Sequence, residues 1–184
     1  RLIKDMERIF KSWSSFLTEK TEKKEGYYIA YHCGKPDRDA DFSFDSIGSG
    51  EGNLILGPGV YFATDKGIAE RYCKYRDSAV VYRAEIPMEG IYNPTNGLPA
   101  NLRFSILPIV KRIEEETGKD PYRGVQPLTH GKGAIGAIVK HYGIKEGREV
   151  LVKAGVKGAI ETLPSGIKEI ALYTFDGVNV FPEE

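Results

Sequence analysis

The stretch that decides the fold reads Gly57-Pro58-Gly59-Val60-Tyr61-Phe62-Ala63-Thr64-Asp65, and Ala69-Glu70-Arg71-Tyr72 follows shortly after it. The first part predicts a strand and the second a helix, so Tyr61 lies at the end of the strand and Tyr72 on the helix. Their rings could then face each other across a slot about one ring thick. A flat cationic ring between two aromatic faces gains on the order of 0.5–2 kcal/mol per face. The alternative, which the spacing alone favours, is that both tyrosines are half-buried core residues.

Two other segments also read as strands, because aromatic and β-branched residues dominate them. One is Tyr27-Tyr28-Ile29-Ala30-Tyr31-His32-Cys33-Gly34, and the other is Ile167-Lys168-Glu169-Ile170-Ala171-Leu172-Tyr173. Each carries a polar residue near one end, His32 in the first and Glu169 in the second. Alone, each residue has a structural interpretation as well: a core histidine bonded to the backbone, and a glutamate that faces solvent.

Together the three segments resemble the His-Tyr-Glu class of ADP-ribosyltransferases, which contains diphtheria toxin and the poly(ADP-ribose) polymerases. In that family a strand ending in His-Gly-Ser/Thr comes first. A Gly-x-Gly-Ile/Leu-Tyr-Phe-Ala strand follows, with a second Tyr eleven residues later, and a Glu-Tyr-Val-Val-Phe/Tyr strand closes the site. Residues 46–52, Ser-Ile-Gly-Ser-Gly-Glu-Gly, are similar to the glycine-rich segment of such domains in bacterial and phage polyvalent proteins. The resemblance runs from about Tyr28 to Val180.

The resemblance implies transfer of ADP-ribose from NAD, without a metal, to a protein or another macromolecular acceptor. We expect transfer of single units, because a compact single domain shows no separate regulatory region. Tyr61 and Tyr72 would stack the nicotinamide ring, and Glu169 would stabilise the oxocarbenium ion that forms on the ribose. His32 would hold the adenosine-side ribose. Two alternatives stay open: an NAD glycohydrolase with water as the acceptor, and a non-catalytic module that binds NAD or ADP-ribose. The acceptor and the modified residue type do not follow from the sequence.

The same resemblance extends the cofactor site to neighbouring residues, with some departures from the family pattern. Cys33 replaces the glycine whose backbone clamps the nicotinamide amide, so we expect its thiol to line that end of the cleft and to react with modifiers. The alternative is a buried, inert cysteine. Gly34 replaces a Ser or Thr, and Ala69 replaces a serine of the poly(ADP-ribose) polymerases. Gly59 would shape the pocket wall. Glu51 would either contact the ligand or face solvent.

The expected fold is α+β, in a single domain that spans residues 1–184. The resemblance implies two mostly antiparallel sheets around an NAD cleft. Apolar spacings of three and four predict an N-terminal helix over residues 2–19 and a helical insertion at about 100–155. The apolar face of the first helix in that insertion is predicted to consist of Phe104, Leu107, Val110 and Ile113.

Composition narrows the partners and the compartment. Basic and acidic residues balance at 26 each, which argues against nonspecific nucleic-acid binding. The two cysteines, Cys33 and Cys73, suggest a reducing compartment without a disulfide framework, and three histidines without a metal motif argue against zinc. The sequence shows neither a signal peptide nor a membrane span. We therefore expect a cytoplasmic protein, in its own cell or in a host, and Arg1 suggests a fragment of a longer chain.

Two glycine-rich stretches resemble nucleotide-binding motifs only superficially. In residues 48–52 the third glycine comes one position too early for a dinucleotide fingerprint, and neither a clear strand before it nor a helix after it is predicted. The run Gly131-Lys132-Gly133 lacks the first glycine and the Ser/Thr of a P-loop at the required positions. Neither stretch therefore supports a Rossmann, kinase or P-loop function.

Overall fold

The computed structural model describes residues 24–36, 42–47 and 53–183. The predicted N-terminal helix over 2–19 and the predicted ligand contact of Glu51 both lie outside these residues. The described part confirms an α+β protein with a mostly antiparallel sheet and a helical insertion.

The sheet contains seven strands in the order β4-β5-β6-β2-β1-β3-β7. Neighbouring strands are antiparallel except β4 and β5, which are parallel. The short strand β4 was not predicted from the sequence. The strands are β1 (Tyr27–Gly34), β2 (Val60–Ala63), β3 (Val80–Pro87), β4 (Ile91–Tyr92), β5 (Gly158–Thr162), β6 (Lys168–Leu172) and β7 (Asn179–Pro182).

The prediction of two separate sheets is wrong at the level of hydrogen bonding, since one sheet contains all seven strands. The reason is that β1 pairs with β2 and so joins the two groups of strands. Tyr31 lies opposite Ala63 in this antiparallel pairing. On its other side, β1 pairs with β3 along all eight of its residues. The two halves of the sheet therefore meet at a narrow junction, which leaves room for a cavity beside it.

Five α-helices lie among the described residues, four of them between β4 and β5. These four make up the helical insertion that the sequence predicted at about 100–155. Short 3-10 helices occur at Phe44–Ser46 and Pro94–Asn96. The α-helices are α1 (Lys66–Cys73), α2 (Ala100–Thr117), α3 (Pro127–His130), α4 (Gly133–Tyr142) and α5 (Ile144–Lys153).

The sheet separates two apolar clusters, as the alternation along β6 shows. Ile170 and Leu172 pack in one cluster with Phe62 of β2. Ala171 of β6 and Tyr173, which follows β6, pack in the other, beneath the helices of the insertion. Because successive strand residues point to opposite faces, Glu169 and Tyr61 share the face that carries the helices.

The apolar face predicted for α2 is partly wrong. Val110 and Ile113 are buried as expected, but Phe104 is 89% exposed and Leu107 is 45% exposed. Leu102 and Ile106 are buried in their place. Pro108 gives a physical reason, because it cannot donate a hydrogen bond to the carbonyl of Phe104, and solvent can satisfy that carbonyl.

The turn before β2 requires both of its glycines. Gly57 has φ of +89°, and a methyl group on it would lie 2.5 Å from the hydroxyl oxygen of Tyr173. A methyl group on Gly59 would lie 2.6 Å from the backbone oxygen of Leu172 on β6. The first position needs glycine for its backbone conformation, and the second needs it because β6 approaches so closely.

We expect Gly59→Ala to lower the free energy of unfolding by about 1–3 kcal/mol, because a backbone oxygen cannot rotate away from the added methyl group. Urea unfolding measures this change. Gly67→Ala on α1 is the matched control, since its methyl group would meet only the Oδ1 atom of the flexible Asp65 side chain, at 3.1 Å. Alanine favours a helix, so the control should be as stable as wild type or more so. Wild-type stability of Gly59→Ala would contradict the close approach.

Candidate functional site

A cavity of about 530 Å³ lies at the junction of β1 and β2. This volume falls within the usual range of small-molecule sites. Strands β1, β2 and β6, helix α1 and the segment before β2 form its walls. The cavity brings together six of the residues that the sequence singled out for the site: His32, Cys33, Gly59, Tyr61, Tyr72 and Glu169.

Some lining residues had no predicted role. Asn53, at the start of the segment before β2, and Arg76, after α1, both line the cavity. Ala69 is buried in the wall of the cavity, at the position where the poly(ADP-ribose) polymerases have a serine. Gly34 is buried at the end of β1 and is not among the residues that line the cavity. No motif could have identified Asn53 or Arg76, because their placement depends on where the loops run.

Tyr61 is fixed by its hydroxyl group. The backbone N–H of Leu56 donates to the Tyr61 hydroxyl oxygen at 3.0 Å, and this hydroxyl donates to the carbonyl of Gly57 at 3.0 Å. Burial raises the pKa of Tyr61, and the charge of Glu169 adds to that effect. The hydroxyl is therefore neutral and committed to the turn before β2, and the ring is held rigidly in the cavity wall.

Tyr72 lies on α1 and lines the same cavity. It is 64% exposed, although it lines the cavity, so its ring is at the open side. The structure thus places one rigid and one exposed tyrosine around the same cavity. A flat ligand would cover the exposed face of Tyr72, and burial of that face would contribute to affinity.

The two cysteines form a disulfide, and the prediction of free thiols in a reducing compartment is wrong on this point. Cys33 of β1 bonds to Cys73 of α1, with Cα atoms 5.5 Å apart. Cys33 lines the cavity, but it has no thiol for a modifier to react with, so the predicted reactivity of Cys33 is wrong. The sequence does not reveal this pairing, since it depends on α1 lying against β1. The bond joins the helix of Tyr72 to the strand of His32.

His32 connects β1 to β2. Its Nδ1 atom lies 2.8 Å from the backbone oxygen of Tyr61. A carbonyl only accepts hydrogen bonds, so Nδ1 carries the proton in this contact. The imidazole also contacts the rings of Phe42 and Phe62, with centroids 5.5 and 5.3 Å away. His32 therefore has both a structural role at the junction and a place in the cavity wall.

Glu169 brings a carboxyl group to the cavity beside a second one. Burial raises the pKa of Glu169, and the charge of Glu161 raises it further. Glu161 lies directly opposite Glu169 on β5, and its Oε1 atom forms an ion pair with the Nζ atom of Lys132. The sequence pattern did not point to Glu161, because nothing local predicts which residue faces Glu169 across the hairpin.

A larger depression of about 610 Å³ lies along α2, lined by Phe104, Leu107 and Tyr122 among others. It contains none of the residues that the sequence predicted for the functional site. Within the described ranges, His, Cys, Asp and Glu side chains do not form a group of three that could hold a metal ion. The helices of the described part include none long and apolar enough to cross a membrane.

The disulfide predicts a measurable difference between oxidised and reduced protein. It closes a loop of 40 residues, so its removal should lower the free energy of unfolding by about 3–4 kcal/mol in the chain-entropy view. Denaturant unfolding with and without reductant measures the difference. The variant Cys33→Ser/Cys73→Ser should match the reduced wild type and should not respond to reductant. Two reactive thiols in the oxidised protein would contradict the pairing.

No protein-family model matches the chain, and no curated protein sequence matches it. Among solved structures, the chain is similar to one described as the crystal structure of an anti-CRISPR protein, with 13% sequence identity and a TM-score of 0.38. The similarity covers 88% of this chain and 100% of the other. A similarity this weak gives no information about the function of the chain.

Proposed function

We propose that the protein transfers ADP-ribose from NAD to a protein acceptor and releases nicotinamide. The observation that carries the proposal is that Tyr61, Tyr72, His32 and Glu169 line one cavity. These residues come from four different elements, β1, β2, α1 and β6. Their meeting is what a bent dinucleotide with a cationic ring and a reacting ribose would require. The proposal also interprets the fold as an ADP-ribosyltransferase core.

The reaction breaks the bond between the nicotinamide nitrogen and C1′ of the ribose. Nicotinamide leaves as a neutral molecule with the bonding electrons, so it needs no proton from the protein. Positive charge develops on the ribose, and a nearby carboxylate stabilises it. Glu169 supplies that carboxylate. The acceptor then donates an electron pair to C1′ and loses its proton to solvent, which completes the transfer.

The cavity walls account for binding. The ring of Tyr61 is fixed in place by the turn before β2 and offers a rigid face to nicotinamide. Tyr72 covers the other face. Cys33, two residues beyond the pair of Tyr31 with Ala63, lines the cavity, and its backbone would bind the nicotinamide amide. His32 holds the adenosine-side ribose.

A direct test is incubation of the protein with NAD labelled in its adenosine part and a cell lysate, followed by mass spectrometry. A labelled macromolecule supports transfer. Free ADP-ribose with no labelled macromolecule supports the glycohydrolase alternative. Binding of NAD with neither product supports the binding-module alternative.

Glu169→Gln should lower turnover of NAD at least a hundredfold and change the dissociation constant of NAD by no more than a few fold. The variant keeps the size of the side chain but removes the charge that only the transition state needs, and one such contact contributes about 3–4 kcal/mol. Single-turnover kinetics and calorimetry measure the two quantities.

The control is Glu149→Gln, which changes an exposed glutamate on α5 and should leave turnover unchanged. Glu161→Gln does not serve as a neutral control, because Glu161 faces Glu169 directly. If Glu169→Gln retained most of the turnover, the catalytic role of Glu169 would be wrong.

Tyr72→Ala should weaken NAD binding roughly 5- to 30-fold, because it removes one stacked face, a contribution of about 1–2 kcal/mol. Tyr72 is already exposed, so the folded structure should tolerate the change. Tyr75→Ala is the matched control: Tyr75 lies three residues further on, is 90% exposed and does not line the cavity. The same NAD affinity in both variants would remove Tyr72 from the site.

A further inference from the structure

We propose that Lys132 is a positioning residue that acts through Glu161 to keep the carboxylate of Glu169 ionised at neutral pH. This inference deepens the proposed function and rests on it for its catalytic meaning. It concerns three side chains in a row: Lys132 directly before α4, Glu161 on β5 and Glu169 on β6. Neither Lys132 nor Glu161 lines the cavity itself.

The first link is the pairing of β5 with β6. In this antiparallel hairpin Glu161 lies directly opposite Glu169. Side chains directly opposite each other in such a pair lie on the same face, with Cβ atoms about 4.5–5.5 Å apart. Like charges in this relation repel, so the charge of Glu161 makes ionisation of Glu169 harder.

The second link is the ion pair between Lys132 and Glu161. The Nζ atom of Lys132 donates to the Oε1 atom of Glu161, and both side chains are largely shielded from solvent, with 28% and 23% exposed. Lys132 directly precedes α4, whose residues from Ala134 to Val139 are buried, so its backbone position is fixed by packing. A shielded pair is screened by salt less than an exposed one.

The consequence is a balance at Glu169. Burial and the charge of Glu161 both raise the pKa of Glu169. Under the proposal, the positive charge of Lys132, which pairs with Glu161, offsets the contribution of Glu161. The other ionisable groups that line the cavity are Tyr31 and His32 on β1, Tyr61 on β2, Tyr72 on α1 and Arg76 after α1. Lys132 is the cation that pairs with Glu161, the carboxylate opposite Glu169.

The test is a titration that needs no turnover: the pH dependence of the Glu169 carboxyl ¹³C signal, assigned by its loss in Glu169→Gln. Lys132→Met should raise the pKa of Glu169 by at least about half a unit, and Lys132→Arg should restore the wild-type value. Glu161→Gln should lower the pKa of Glu169. In the Glu161→Gln background, Lys132→Met should cause less than half of the shift seen alone.

The same variants should shift the acid limb of NAD turnover in the same direction, since only ionised Glu169 can stabilise the transition state. Loss of activity with an unchanged carboxyl titration would overturn the inference, as would a full Lys132→Met shift in the Glu161→Gln background. If Lys132→Met failed to fold, Glu161→Gln would test the inference instead. An unchanged pKa of Glu169 in Glu161→Gln would show that Glu161 is not coupled to Glu169, which would overturn the inference. The predicted titration in a protein that never cleaves NAD would contradict the proposed function but leave the charge coupling intact.

Discussion

The narrow junction between β1 and β2 is the constraint on which the site depends. One residue pair in register, Tyr31 with Ala63, joins two halves of a seven-stranded sheet. The hydrogen bond from the His32 side chain on β1 to the backbone carbonyl of Tyr61 on β2 adds a second link across that junction. If β1 and β2 paired along their whole length, their edges would satisfy each other and close the space between them. The incomplete pairing leaves backbone and side chains of both strands facing a cavity.

Helix α1 forms the outer wall of that cavity, and two bonds hold it in place. The Cys33–Cys73 disulfide joins its C-terminal end to β1, and Lys66 at its start forms an ion pair with Glu183 at 2.6 Å. The exposed Tyr72 is thus carried on a helix fastened near both ends. The disulfide also removes the composition argument for a reducing compartment, because two paired cysteines are typical of oxidising surroundings. The expectation of a cytoplasmic protein stays a prediction without that support.

The sequence predicted the strands of the three motif segments, the helix that carries Tyr72 and the helical insertion, because apolar periodicity and glycine-rich turns are local signals. It also brought His32, Tyr61 and Tyr72 to one site through motif order. What it missed depends on contacts between distant segments: the cysteine pair, the junction that makes one sheet of two, and Glu161 opposite Glu169. The face of α2 was ambiguous for another reason, since two apolar stripes overlap at its C-terminal half and only packing selects between them.

The two carboxylates on β5 and β6 have different surroundings, and these surroundings give them different roles. Glu161 is held by Lys132 and serves as part of an ion pair. Glu169 lines the cavity, where burial and a like charge oppose its ionisation. An ionisable group in such surroundings lowers the stability of the folded protein. Carboxylates with perturbed pKa values in cavities are found preferentially at functional sites. In the proposed function Glu169 would lie beside the reacting carbon, where a pure NAD-binding module would gain nothing from a carboxylate. The environment of Glu169 is therefore the reason why we propose an enzyme and not a binding module.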